Sequence, residues 1–189
     1  MEMYPSAIIK FSSNNYQNYN MKILTEWGFT WMGWRNNQRG EYWFLIQGIL
    51  LIGFVFLPVY PSIKFTASDW FYINSSIAIV IGLIGIIFLG KGLLDLGNNI
   101  TPLPYPKADG KLIQTGVYGV VRHPLYSGLI FTTLAWSIWQ LSLSHLLVTI
   151  IIFSVLNAKS SREEIWLTEK FPEYLEYQQK VKKFIPGLF

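Results

Sequence analysis

The chain has 189 residues, of which 51% are hydrophobic, 17% aromatic and only 14% charged, with a formal net charge of +4. That balance excludes an ordinary soluble domain and points to the lipid bilayer as the surrounding solvent. The absence of cysteine excludes disulfides, thiolate zinc sites, iron–sulfur clusters and cysteine nucleophiles.

Residues 1–41 read as a polar and then interfacial segment. Met1 to Asn20 is tyrosine-rich without an apolar h-region, so no cleavable signal peptide is expected and the first apolar span directs insertion. Ile23, Leu24, Trp27, Trp31 and Trp34 recur at helical spacing beside Lys22, Glu26 and Arg35. This predicts a helix lying in the membrane interface, its tryptophans anchored at headgroup level.

Residues 42–189 form one membrane-embedded domain, with room for about four spans of roughly 20 residues. The apolar stretches run from Tyr42 to Tyr60, Tyr72 to about Leu94, Leu125 to about Trp139 and Leu141 to about Ala158. The fold expected is therefore an all-α integral membrane protein, with an N-terminal interfacial helix and a C-terminal cytoplasmic helical segment. In the second span Ala78, Gly82, Gly85 and Gly90 give small surfaces for close helix packing. The third and fourth spans are joined around Gln140 to Ser144 and read as a tight helical hairpin. All Lys and Arg residues except Lys64 fall on one side of this topology. The positive-inside rule then makes the protein multi-pass, with both termini and the loop over residues 95–122 in the cytoplasm. The positive charge is a topology signal, and nucleic acid is not an expected partner.

In that loop Pro102, Pro104 and Pro106 impose extended backbone, and Asp109-Gly110 marks a turn before Lys111 to Gly116. The rigid prolines beside Leu103, Tyr105, Leu112 and Ile113 predict an ordered cover over a ligand. The loop ends in Arg122-His123-Pro124-Leu125-Tyr126-Ser127-Gly128. Pro124 suits the first turn of a helix, whose free backbone N–H groups favour a carboxylate or phosphate. Arg122 or His123 shares a helical face with Tyr126, so one ligand can touch both. Ionisable groups at the head of an apolar span are functional candidates by default. The plainer alternative makes Arg122 a snorkelling anchor and Tyr126 a belt residue.

Beyond the fourth span lie Lys159, Arg162-Glu163-Glu164, then Phe171-Pro172-Glu173-Tyr174 and Tyr177. The hairpin makes Arg122–Tyr126 and Lys159–Glu164 neighbours in space, although Glu163 and Glu164 alone also fit a solvated face paired with Lys159 or Lys170. Pro172 should interrupt that helix and start a shorter one, which carries Tyr174 and Tyr177 back across the site as an aromatic wall.

Gly116-Val117-Tyr118, Arg122-His123-Pro124-x-Tyr126-x-Gly128, Glu163-Glu164, Phe171-x-x-Tyr174-x-x-Tyr177 and Ile185-Pro186 together resemble the isoprenylcysteine carboxyl methyltransferase family, related to the phospholipid methyltransferases. The resemblance covers roughly residues 90–186. It implies a small helical membrane bundle that binds S-adenosylmethionine at its cytoplasmic side and admits an amphiphilic acceptor from the bilayer. Carried over by motif, the cofactor site comprises Leu112, Ile113, Tyr118, His123, Pro124, Leu125, Tyr126 and Glu163. Lys159 and Arg122 are the implied catalytic pair, Lys159 standing on the acceptor side where the eukaryotic enzymes have Arg. Pro172 stands where the family commonly has Gly.

The implied chemistry suits these residues. Methyl transfer from a sulfonium needs alignment and exclusion of water more than a strong acid or base. Arg122 or His123 with helix N–H groups, and Glu163, are opposite-charge partners for the carboxylate and ammonium of the methionyl end. Tyr118, Tyr126 or Tyr174 is placed to lie against adenine or the sulfonium. The acceptor stays open among a lipid, another lipophilic molecule and a small thiol, carboxylate or amine. A membrane reductase that binds NADPH and a non-enzymatic membrane protein are the two other classes that share parts of this pattern.

Overall fold

The structure, a computed structural model, describes residues 30–61 and 68–189. Ile23, Leu24, Trp27, Lys10, Lys22 and Lys64 lie outside them. The described residues are helical: α1 (Trp31–Asn36), α2 (Glu41–Phe56), α3 (Ser68–Leu96), α4 (Pro124–Trp139), α5 (Leu143–Lys170) and α6 (Tyr174–Lys180). Short 3-10 turns cover Gly97–Asn99 and Gly116–Gly119.

Among the described residues two helices are long and apolar enough to cross a membrane, one over Trp70–Asn99 and one over Leu143–Lys170. Both outrun the expected apolar stretches; past Ala158 the helix-favouring Lys159, Arg162, Glu163 and Glu164 carry the second on to Lys170. The α5 helix carries Lys159, Arg162, Glu163 and Glu164 on its extension. Large apolar side chains stay exposed along three helices, among them Ile52 and Val55 on α2, Ile86 and Ile87 on α3 and Ile150 on α5. A water-facing protein rarely tolerates so continuous an apolar surface.

Small residues bring α3 and α4 together. A Cβ on Gly85 would lie 2.9 Å from the Thr132 nitrogen and 3.0 Å from the Gly128 oxygen, so the two backbones touch. Gly82 meets Ala135 at ordinary contact distance, whereas Gly90 has nothing nearby and does not share in the packing. The α2 helix packs on α5 through Phe54, Ile152 and Leu156, with Leu129 and Ile130 of α4 against the same cluster.

The α4–α5 hairpin turns at Leu141, which has a φ of 48°, and Ser142 caps α5 by accepting from the His145 N–H. At the other end of the hairpin, Pro124 occupies the first turn of α4 as expected. Phe171 ends α5, and Pro172 precedes α6. The tail then returns to the loop: the Arg122 and His123 N–H groups donate to the Lys182 and Lys183 oxygens at 2.8 and 3.1 Å.

Candidate functional site

The loop between α3 and α4 is ordered by its own polar groups. Asp95 accepts from the Val117 N–H at 2.7 Å. Gly116 sits at φ 62°, where any Cβ would lie 2.1 Å from the Asp95 carboxylate, so the turn requires glycine. Asn99 accepts from the Lys111 N–H at 2.8 Å, and Lys170 of α5 donates to the Lys107 and Ala108 oxygens. Leu103 and Pro104 are buried, and Pro104 packs on Gly40 just before α2.

Beneath this cover lies a cavity of about 320 Å³. That falls within the range of small-molecule sites, roughly 300–1,000 Å³. Every residue of the implied cofactor and catalytic set borders it: Leu112 and Ile113 from the cover, Tyr118, Arg122 and His123, then Pro124, Leu125 and Tyr126 from α4, and Lys159 and Glu163 from α5.

Two polar groups of contacts converge here. In the first, the Tyr126 hydroxyl donates to Glu163 Oε2 at 2.7 Å, and the His123 and Tyr126 rings stack at 5.3 Å with planes 5° apart. Lys159 Nζ stands 5.1 Å from the centre of the Tyr126 ring. In the second, Glu164 Oε1 accepts from Arg122 Nε at 2.9 Å and lies 3.0 Å from His123 Nε2, while Gln178 donates to Glu164 Oε2 at 3.2 Å. The Arg122 guanidinium also donates to the Gln178 and Val181 oxygens. It thus ties α4, α5 and the chain after α6 into one node, with most of its donors spent on protein. Lys183 completes the node 3.7 Å from Glu164, and burial holds its ammonium below the usual lysine range despite the attraction of Glu164.

Five tyrosines border the same cavity: Tyr105 from the cover, then Tyr118, Tyr126, Tyr174 and Tyr177. Tyr118 donates to the Gly92 oxygen at 3.4 Å, Tyr126 to Glu163, and Tyr177 to the Tyr118 oxygen. The Tyr174 hydroxyl is buried with no hydrogen-bond partner among the described residues. Burial, reinforced by Glu163 at Tyr118 and by both Glu164 and Glu163 at Tyr174, raises these two phenols above the ordinary tyrosine range. Burial does the same at Tyr177. All three remain neutral hydroxyls at physiological pH.

Motif reading missed several of the residues that build this site. Glu164 was indistinguishable from Glu163 in sequence, yet its carboxylate faces the protein node rather than the Tyr126 side. Asp95 and Gln178 lack any pattern that marks their partners. Gln47 on α2 borders the cavity and accepts from Lys159 Nζ at 2.7 Å. Its signal was available: it is the one amide between Tyr42 and Phe56, in a stretch that is otherwise apolar.

The helical bundle thus exposes apolar faces and holds a cavity lined by the His123–Tyr126 run and Glu163. The sequence model of the phospholipid methyltransferase family matches residues 73–174, more than half of the chain, and the chain belongs to that family. It is 27% identical over 150 residues to a probable protein-S-isoprenylcysteine O-methyltransferase of Oryza sativa subsp. indica, covering 74% of this chain and 76% of that one. It is 24% identical over 131 residues to protein-S-isoprenylcysteine O-methyltransferase B of Arabidopsis thaliana, covering 67% and 64%. The fold matches the solved structure of a eukaryotic intramembrane Ras methyltransferase, an isoprenylcysteine carboxyl methyltransferase, with a TM-score of 0.58 at 23% identity over 81% of this chain. The chain spans 54% of that protein's length. Neither the reductase nor the non-enzymatic reading is favoured by these relatives.

Proposed function

We propose that the protein is an S-adenosylmethionine-dependent methyltransferase acting on a lipophilic or small acceptor that carries a thiol, carboxylate or amine. The observation that carries this reading is the convergence of His123, Tyr126 and Glu163 in one cavity beneath the 101–113 cover. The donor set suits the cofactor: Glu163 offers a carboxylate to an ammonium, and the unpartnered Tyr174 hydroxyl leaves a polar bond to be made. The aromatic walls match adenine and a sulfonium.

On this reading Leu112, Ile113, Tyr118, His123, Pro124, Leu125, Tyr126 and Glu163 hold the cofactor. That cofactor supplies an electrophilic methyl group on a sulfonium, open to in-line attack. Glu163 and the Tyr126 hydroxyl orient its methionyl end, and the proline-rich cover excludes water so that no solvent molecule competes with the acceptor. Lys159 stands on the acceptor side. Arg122 contributes through the node with Glu164, which fixes the start of α4 and hence the position of His123. Alignment of this kind supplies several kcal/mol of the barrier reduction.

The same reading includes four membrane spans, α2 to α5, with the cavity and both termini on the cytoplasmic side. At about 1.5 Å per residue the 16-residue helices α2 and α4 are short for a bilayer core, so flanking aromatic residues and local thinning accommodate them. The Lys and Arg bias supports the orientation.

Calorimetry on the detergent-purified protein tests the function. S-adenosylhomocysteine should bind and NADPH should not. Failure to bind S-adenosylhomocysteine sinks the reading.

A further inference from the structure

The cover over residues 101–113 is held differently at its two ends. Residues 107–111 are tied by hydrogen bonds to the turn after α3 and to α5: Lys107 Nζ donates to the Asn98 oxygen at 3.1 Å, the Lys111 N–H to Asn99, and Lys170 to the Lys107 and Ala108 oxygens. Pro104 and Tyr105 make no hydrogen bond among the described residues and are held by packing. Pro104 fits against Gly40, where a Cβ would collide with the proline ring. Tyr105 meets the Trp166 ring of α5 at a steep angle, centroids 5.4 Å apart, and the Arg39 guanidinium lies 5.7 Å from the Tyr105 ring centre. The Arg162 guanidinium stands 4.9 Å from the Trp166 ring. Four side chains from three parts of the fold thus form one run of ring and cation contacts, and Tyr105 borders the cavity.

Several directional hydrogen bonds make the 107–111 stretch the fixed end of the cover. Contacts between rings, and between cations and rings, are individually weak at exposed sites, so the Tyr105 end releases first. Pro102, Pro104 and Pro106 restrict the backbone between them, and residues 102–106 therefore move as one stiff piece. Arg39 is presented to that piece by a fixed corner, since its N–H donates to Glu41 Oε2 at 3.0 Å and Glu41 is fully buried at the start of α2. We propose that the run Arg39, Tyr105, Trp166 and Arg162 is the latch of the cover: residues 102–106 swing on the 107–111 hinge, and breaking the run opens the cavity for exchange of cofactor and product. The corner that carries Arg39 precedes residues 73–174, so this half of the latch lies outside the pattern that the family model matches. A cover that excludes water during transfer must also release S-adenosylhomocysteine afterwards, and such openings limit turnover in many enzymes. As a gate for that cofactor the proposal rests on the methyltransferase reading; as a latch on the cavity it does not.

Trp166, Arg39 and Arg162 are not among the residues that line the cavity, so their substitution reaches a bound ligand through the cover. The test uses the detergent-purified full chain, with association and dissociation of S-adenosylhomocysteine followed by surface plasmon resonance. Trp166→Leu should raise both rate constants together by roughly threefold to tenfold, the size of the ring contacts it removes, and keep the affinity within about twofold. Arg39→Gln should raise both by roughly twofold to fivefold. Trp166→Phe keeps a ring for Tyr105 and should recover most of the wild-type behaviour. Arg35→Gln removes an equal charge from an exposed position in the last turn of α1, with no ring contact, and should match the wild type. A second readout needs no ligand: hydrogen exchange at the Leu103 amide, in the swinging piece, should quicken in Trp166→Leu by the same factor, while the Gly110 and Lys111 amides of the hinge keep their rates. The latch is overturned if Leu103 exchange is unchanged in Trp166→Leu and Arg39→Gln, if all three amides quicken alike, or if Arg35→Gln acts as strongly as Arg39→Gln. Unchanged rate constants, or faster dissociation alone with matching loss of affinity, overturn the gate, because a contact to the ligand gives the latter. A wild type that binds no S-adenosylhomocysteine removes the functional reading and the gate with it, and hydrogen exchange still decides the latch.

Discussion

The α4–α5 hairpin buries a polar cluster at each end, and the two clusters differ in what they leave undone. At the far end, His145 is 2% exposed with Nδ1 2.7 Å from Ser142 Oγ, Ser137 bonds Thr149 at 3.0 Å, and Ser144 donates to the Pro58 oxygen at 2.7 Å. Every one of these is a neutral or histidine side chain bonded to its neighbour, and none borders the cavity. At the near end, His123 is equally buried but sits between two glutamates, beside a lysine held by an amide and a tyrosine hydroxyl without a partner. Burial of a histidine therefore marks no site by itself. What distinguishes the near end is charge and hydrogen-bonding capacity left over beside open space.

The comparison is broken most forcefully at Glu164, which belongs to the near end but serves the fold. Glu164→Ala leaves the Arg122 guanidinium buried without its anion, at side-chain exposures of 9% and 8%. Removing one partner of such a pair costs about 3–5 kcal/mol. The thermal midpoint of the detergent-solubilised protein should then fall by roughly 6 °C or more. A midpoint within about a degree of wild type would show that the node is not structural.

His145→Ala should lose about 2 kcal/mol through the cavity left against Phe54, whose ring meets the imidazole edge-on at 5.0 Å. Its S-adenosylhomocysteine affinity should be unchanged by calorimetry. If affinity drops with stability, the two ends are coupled and the division between them fails.

Glu163→Gln sharpens the near end itself. The amide still accepts from Tyr126, so stability should move by less than about 1 kcal/mol. Loss of the charge should weaken S-adenosylhomocysteine about tenfold, equivalent to about 1.4 kcal/mol. Adjacent glutamates then report opposite functions, Glu163 through ligand affinity and Glu164 through folding. Equal effects of the two on unfolding would erase that distinction.

The sequence carried the near end well, because its chemistry is compressed into two short runs. Pro124 sets a helix start, the i to i+3 spacing stacks His123 on Tyr126, and the short α4–α5 turn obliges Glu163 to lie opposite. The cover was legible from its prolines. The Lys159–Gln47 pair was not, since its partners stand 112 residues apart and no local spacing links α2 to α5. Helix ends were also poorly marked: apolar content located the α5 span, but helix propensity carried the helix on through its charged turns to Lys170. The split between Glu163 and Glu164 lay beyond sequence altogether, because a rotation of about 100° between successive helical residues decides which one meets Arg122.

The smallest effect concerns the leftover hydroxyl. Tyr174 is 1% exposed, and its hydroxyl lacks a partner among the described residues while bordering the cavity with Tyr118, Tyr126 and Tyr177, all of them bonded. An unsatisfied buried hydroxyl carries a desolvation penalty of about 1–3 kcal/mol. Tyr174→Phe removes the penalty and keeps the ring, so the ligand-free protein should gain about 1 kcal/mol and unfold about 2–4 °C higher. With S-adenosylhomocysteine bound, the gain should shrink, because the wild-type hydroxyl then has a partner to lose. The difference between the two gains matters more than its size: a hydroxyl that only packs would shift both midpoints equally. A fall in the ligand-free midpoint would show that Tyr174 is already satisfied, and the near end would then differ from the far end by charge alone.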